Sequence, residues 1–186
     1  TTNRDVVNRP TYTCVSPSKI ESNSKFSTED SYIDNEQLNE TAIIGTLIHK
    51  LMEYIINSKN CLLDDSVCTY IAKRYDREDL TEILINVKKT ICSGGYKQSE
   101  CPFDDIFNFV KPFKCLTEVP FSYKEKKDNV YGLIDLVIEK DDEVIIIDYK
   151  TGSESVDHSA QLQAYEKVAA MLYNKPIKTY IYYIKH

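Results

Sequence analysis

Gly132-Leu133-Ile134-Asp135-Leu136-Val137-Ile138 and, a short charged turn later, Val144-Ile145-Ile146-Ile147-Asp148-Tyr149-Lys150 are two almost wholly apolar runs, and acidic residues interrupt both. Their Val and Ile content reads as buried strands. The turn Lys140-Asp141-Asp142 is short enough for an antiparallel hairpin. In such a hairpin Asp135 can come alongside Asp148, and the two-residue side-chain period puts Asp148 and Lys150 on one face. Carboxylates set in apolar strands are costly unless something offsets their charge. A lysine could do so, as could a divalent cation, which favours oxygen ligands. The bland alternative is a buried Asp–Lys salt bridge with the second Asp capping a turn, and a lone D-x-K does not separate the two.

Working outward, residues 115–123 form a further strand, joined to 130–139 through Lys126-Lys127-Asp128-Asn129, which completes a three-stranded meander. A helix follows from Ser159 to Tyr173, stopped by Asn174 and Pro176. A last strand, Lys178 to Ile184, is most simply placed parallel to 143–149 by a right-handed crossover. Upstream, Ile44, Leu47, Ile48, Leu51, Tyr54 and Ile55 recur at helical steps over Thr41–Ser58, with His49 beside the stripe. Two or three more helices fill 64–110. Leu80, Ile83, Leu84, Val87 and Ile91 form one stripe there, closed by Gly94-Gly95. Residues 1–40 read as an irregular lead-in with one short helix at Ser16–Glu21, where Pro17 suits a first turn and Ser18 with Glu21 has capping-box spacing. The expectation is an α/β fold: a mixed central sheet of about four or more strands flanked by helices, with a helical N-terminal part.

The 186 residues are enough for one domain, here 41–186 after the lead-in, and 42% hydrophobic with 28% charged residues is ordinary for a globular protein. No apolar run approaches the ~18–20 residues needed to span a bilayer, so no membrane is expected. The start at Thr1-Thr2-Asn3-Arg4 lacks both an initiator Met and a signal-peptide core, and reads as a piece of a longer chain. The six cysteines (Cys14, Cys61, Cys68, Cys92, Cys101, Cys115) show no C-x-x-C pair. They are expected to be small buried hydrophobes of a cytoplasmic protein. A net charge of −6 argues against an autonomous DNA binder, since phosphate contacts need cations. The short groups Lys124–Lys127 and Lys88-Lys89 read as a solvated turn and a helix face.

Gly132-Leu133-Ile134-Asp135 and Ile147-Asp148-Tyr149-Lys150-Thr151-Gly152 resemble the two central motifs of the RecB-type PD-(D/E)XK nucleases. That family's G-x-x-x-H on an upstream helix is matched by Gly45-Thr46-Leu47-Ile48-His49, and its Q-x-x-x-Y on the following helix by Gln161-Leu162-Gln163-Ala164-Tyr165. The four motifs stand in the family's order and cover 41–184, and the pattern is most like the nuclease domain of AddA/RecB helicase–nucleases. The resemblance implies a restriction-endonuclease-like core and a metal-dependent DNA nuclease leaving 5′-phosphate and 3′-hydroxyl ends. It implies the exonuclease domain of a helicase–nuclease in DNA end processing and recombinational repair, fed by a motor in the same full-length chain.

By the same resemblance His49, Asp135, Asp148 and the main-chain carbonyl of Tyr149 would bind magnesium or manganese. Lys150 would position or help deprotonate the attacking water, with Asp135 and Asp148 as its catalytic companions. Gln161 and Tyr165 would orient the DNA strand, single-stranded or at a duplex end, or support the site. Glu118 matches an acidic position on the family's first strand. Relatives with a four-cysteine iron–sulfur cluster place three cysteines after Q-x-x-x-Y, whereas Cys115 is the last here; no such cluster is expected. The alternatives are a catalytically inactive DNA-binding module with a nuclease fold, and an unrelated α/β protein whose Asp and Lys are structural.

Overall fold

The computed structural model describes residues 14–15, 35–61, 64–125, 128–151 and 156–186; the helix expected at Ser16–Glu21 lies outside them. Helix α1 spans Asn35–Ser58, starting six residues before the expected Thr41. Its stripe Leu47, Ile48, Leu51, Met52, Ile55 and Ile56 is completely buried. At ~1.5–3 kcal/mol for each such side chain, this far outweighs the ~1 kcal/mol cost of a glycine in a helix interior at Gly45. Helices α2 (Ser66–Arg74), α3 (Thr81–Cys92) and α4 (Ile106–Val110) pack with α1 into one helical layer. After α3 the chain turns through Gly94 and Gly95, both at positive φ. Gly95 is further obliged to be glycine because a Cβ there would sit 2.0 Å from the Asp104 carbonyl oxygen. Among the described residues no helix is long and apolar enough to cross a membrane.

The sheet is the expected meander followed by a β-α-β unit. Strands β2 (Lys114–Glu125) and β3 (Asp128–Glu139) pair antiparallel from end to end except at the row of Glu118 and Asp135, and β1 (Cys14–Val15) lies parallel to the start of β3. Strand β4 (Val144–Lys150) pairs antiparallel with Leu136–Glu139 of β3. Helix α5 (Ser159–Leu172) then leads to β5 (Ile177–Tyr183), parallel to β4. The result is a mixed five-stranded sheet: four strands in the order β2-β3-β4-β5, with the two-residue β1 also beside β3. Two apolar layers enclose the sheet. Leu136, Ile138, Ile145 and Ile147 face α1–α4, while Phe121, Ile134, Val137 and Ile146 face Tyr165 and Val168 of α5.

Two expectations from the sequence need correcting. Cys61 and Cys92 are not isolated apolar fillers but a disulfide, with Cα atoms 5.5 Å apart. The ends of α1 and α3 converge, which their separation of 31 residues could not announce. Cys68 and Cys101 are buried thiols, as expected, and Cys115 is a half-buried one. Lys88 does not sit on a solvated helix face. It is buried and lies 2.5 Å from the Asp65 carboxylate, so its charge is committed to the fold.

Candidate active site

Strands β2 and β3 both lose their alternation at one row. Leu116, Val119 and Phe121 all pack on the α5 side. Thr117 and Glu118 are therefore consecutive residues on the α1 side, where Thr117 hydrogen-bonds Asn57 and Glu118 accepts from Lys50 Nζ at 3.4 Å. In β3, Ile134 and Val137 face α5, while Asp135 and Leu136 face the helical layer. The pairs Thr117–Leu136 and Val119–Ile134 bracket the row, so Glu118 stands across from Asp135. Glu118 has a φ of 50°; left-handed backbone costs a non-glycine residue about 1–2 kcal/mol. Such strain gathers where a side chain must be re-aimed.

The β3–β4 ladder ends at Leu136–Ile147, and the next row holds Asp135 and Asp148. There the Tyr149 N–H donates to Asp135 Oδ2 at 2.7 Å, so a side chain replaces a main-chain partner and the strands fork. His49 reaches the fork from α1. Its Nε2 lies 3.0 Å from the Tyr149 carbonyl oxygen and its Nδ1 3.3 Å from Asp135 Oδ1. Gly45, one helical turn earlier, brings α1 close: a Cβ there would meet Thr151 Oγ1 at 3.1 Å. With an acceptor opposite each nitrogen, the ring favours its doubly protonated form. Burial pulls the His49 pKa down, but the hydrogen bond and charge of Asp135, with Asp148 and Glu118 beyond, outweigh it and leave it raised.

On the α5 side four side chains close a ring. Lys150 Nζ donates to Gln161 Oε1 at 2.7 Å, and Gln161 Nε2 donates to the Tyr165 hydroxyl at 2.8 Å. That hydroxyl lies 3.0 Å from Asp148 Oδ1 and 3.1 Å from the Leu133 carbonyl oxygen, so its one proton serves both acceptors. Asp148 Oδ2 returns to Lys150 Nζ at 2.8 Å. This last contact is coulombic in character, because Oδ2 is buried and makes no well-aligned hydrogen bond. The spacing of Gln161 and Tyr165 puts them one turn apart on α5, which is what lets both join the ring. Burial first, then the charge of Asp135, push the Asp148 pKa up, against the pull of Lys150 and Tyr165. Burial also raises the Tyr165 phenol, so it stays a neutral donor.

The residues singled out from the sequence therefore meet at one place, in two groups. His49, Glu118 and Asp135 can offer ligand atoms within 4.8 Å of one another. Asp148 instead belongs to the ring with Lys150, Gln161 and Tyr165. Glu118, the faintest of the sequence signals, is drawn into the candidate metal-holding group by the kink in β2. Lys50 escaped notice altogether: it bonds Glu118 and, at 3.0 Å, Glu53, and nothing but its place after His49 marked it. The donor set suits a hard divalent cation: carboxylate and carbonyl oxygens with one imidazole. His49 has two acceptors facing its nitrogens, and Asp148 has a buried oxygen without a hydrogen bond, so added positive charge is what this cluster would accept.

Residues 25–186 match the PD-(D/E)XK nuclease superfamily. The chain is also 23% identical over 173 residues to an ATP-dependent helicase/nuclease of Staphylococcus epidermidis, covering 76% of this chain and 13% of that protein. It is 37% identical over 60 residues to the CRISPR-associated exonuclease Cas4 of Francisella tularensis subsp. novicida, covering 31% of each. It thus spans less than a third of either relative. A forked β3–β4 pair bearing Asp135, Asp148 and Lys150, within a match over most of the length, places this chain in the PD-(D/E)XK nuclease superfamily.

Proposed function

We propose that the chain is a divalent-metal-dependent deoxyribonuclease domain, working as the exonuclease part of a helicase–nuclease in DNA end processing and recombinational repair. The observation that carries this is the meeting of His49, Glu118 and Asp135 with the Asp148–Lys150 pair at one strand fork. His49, Asp135, Asp148 and the Tyr149 carbonyl, with Glu118 beside them, would hold magnesium or manganese. When bound, such a cation supplies Lewis-acid stabilisation of charge on the scissile phosphate and lowers the pKa of the attacking water. Lys150 places a positive charge at the same point, and its Nζ can orient that water and meet negative charge developing on the phosphate. Gln161 and Tyr165 act through Lys150 and Asp148 and are positioning residues. The products would be 5′-phosphate and 3′-hydroxyl ends.

The helicase association is supported by the similarity to the S. epidermidis helicase/nuclease and by the charge. The chain carries a net charge of −6, and several of its cations are already paired among the described residues: Lys88 with Asp65, Lys114 with Glu139, Lys140 and Lys178 with Glu143, and Arg77 with Asp79. Long-range attraction for phosphates is correspondingly small, so a tethered motor would deliver the strand. The test is cleavage of linear single- and double-stranded DNA with magnesium, manganese or EDTA, beside Lys150→Ala. Metal-dependent cleavage that the variant lacks supports the reading. A wild-type chain that neither cuts DNA nor gains thermal stability from manganese would overturn it in favour of structural carboxylates.

A further inference from the structure

Beyond the strand fork, the sides of α1 and α2 enclose a cavity of about 420 Å³, lined among others by Lys50, Glu53, Tyr54, Tyr70, Arg74 and Tyr75, with the Glu53 carboxylate paired to Lys50. That volume falls within the roughly 300–1,000 Å³ of small-molecule sites. Three features set it apart. Its tyrosines are unusually open for large aromatics, at 40% exposure for Tyr54, 51% for Tyr70 and 39% for Tyr75. Tyr54 and Tyr70 meet edge to face, with ring centroids 6.4 Å apart, so the pair is not closed by face-to-face stacking. Arg74 donates to the Tyr70 hydroxyl at 3.3 Å and makes no ion pair among the described residues. The cavity also adjoins the candidate active site: Lys50 lines it, follows His49 on α1 and bonds Glu118.

Open aromatic rings beside a guanidinium that makes no ion pair among the described residues are what unstacked nucleobases need. Each base has a π-face to stack, and the guanidinium can take the phosphate or stack in turn. An acidic chain gains little from generalised phosphate attraction, so stacking is the contact it can still offer. We infer that the α1–α2 groove is a single-strand binding site, in which Tyr70, Tyr54 and Tyr75 stack the bases that flank the scissile phosphate and Arg74 holds the strand backbone. The inference deepens the nuclease reading and rests on it for the identity of the occupant. It sets the substrate at the active site as unpaired DNA, because duplex bases already stack on one another and cannot use the groove.

The test is fluorescence anisotropy with labelled oligothymidylate in EDTA and low salt, where binding is read without cleavage. The same strand paired to oligodeoxyadenylate serves as the second probe. The proteins are the whole chain, Tyr70→Ala, Tyr70→Phe and Arg74→Ala, each checked by thermal melting. Stacking is worth about 1–3 kcal/mol per base, so Tyr70→Ala weakens single-strand binding about 5–150-fold. Tyr70→Phe, which keeps the ring, stays within about twofold. Duplex binding is the same for wild type and Tyr70→Ala. Wild-type affinity in both alanine variants overturns the inference. So does an equal loss on both probes, which would mean backbone contact only, and so does a wild-type chain that binds no oligothymidylate. Failure of the nuclease reading shows separately, as absent metal-dependent cleavage, and leaves the affinity comparison intact.

Discussion

Tyr165→Phe removes one oxygen from the ring that joins Lys150 to Asp148, and its consequences can be worked out bond by bond. Tyr165 is buried, and its aromatic ring, edge-on to Phe121 at 5.7 Å, keeps its packing in phenylalanine. The change is therefore a loss of polar partners with no cavity beyond one hydroxyl. Gln161 Nε2 loses its acceptor and Asp148 Oδ1 loses its donor; a buried group left unpaired costs about 1–3 kcal/mol. The Leu133 carbonyl also loses a contact, but that residue is half-exposed and water can replace it. Removing the phenol's own desolvation returns part of the cost, so the net loss is about 2–3 kcal/mol. At about 2–4 °C per kcal/mol for a chain of this size, Tm should fall by roughly 4–12 °C in metal-free buffer.

Activity should fall too, because Lys150 then hangs from a Gln161 amide that is free to turn. Losing such a supporting group typically costs about 10–100-fold, or about 1.4–2.7 kcal/mol of barrier. The loss should appear in kcat more than in KM, since Tyr165 lies behind the reacting groups. The assay is steady-state cleavage of linear DNA with manganese, beside calorimetric melting. Tyr173→Phe is the control, its hydroxyl bonded to Glu139 at 3.0 Å, away from the strand fork. A variant that melts early yet cuts at the wild-type kcat would show the ring to be a structural strut, and the positioning argument would be wrong.

Two further outcomes follow from the same geometry. Asp148→Asn should raise Tm in EDTA near neutral pH: burial and Asp135 raise the Asp148 pKa, so its charged form opposes folding above that pKa. The gain should vanish as pH falls below the unfolded value of 3.8, where the wild-type carboxyl is neutral in both states; a lower Tm for Asp148→Asn at neutral pH would refute this. Reducing the Cys61–Cys92 bridge frees a loop of separation 31, for which chain entropy predicts ~3–4 kcal/mol of lost stability. Urea unfolding with and without dithiothreitol measures it, and coincident curves would mean the pair contributes nothing.

Much of the fold was legible in the chain because its signals are local. Apolar stripes at helical steps, β-branched runs between charged turns, and Asn174 with Pro176 after α5 each describe a few neighbouring residues, and the elements formed close to where those signals lay. The meander and the parallel return of β5 followed from short connections. The candidate site was legible as residue types in order, since G-x-x-x-H, the two Asp motifs and Q-x-x-x-Y each sit within one element. What the sequence could not carry depends on contacts between distant segments. Residues on either side of the row break the alternation that strand reading assumes, and only the pairing of β2 with β3 shows Glu118 and Asp135 turned together toward α1. Asp148 sits apart from the His49–Glu118–Asp135 group because its face of β4 meets α5. The commitment of Lys88 to Asp65 and of Cys61 to Cys92 likewise required the packing of helices. Periodicity along the chain determined which elements form and which faces they bury; which charges meet was decided by tertiary packing, because coulombic and hydrogen-bond energies depend on distances that no local pattern encodes.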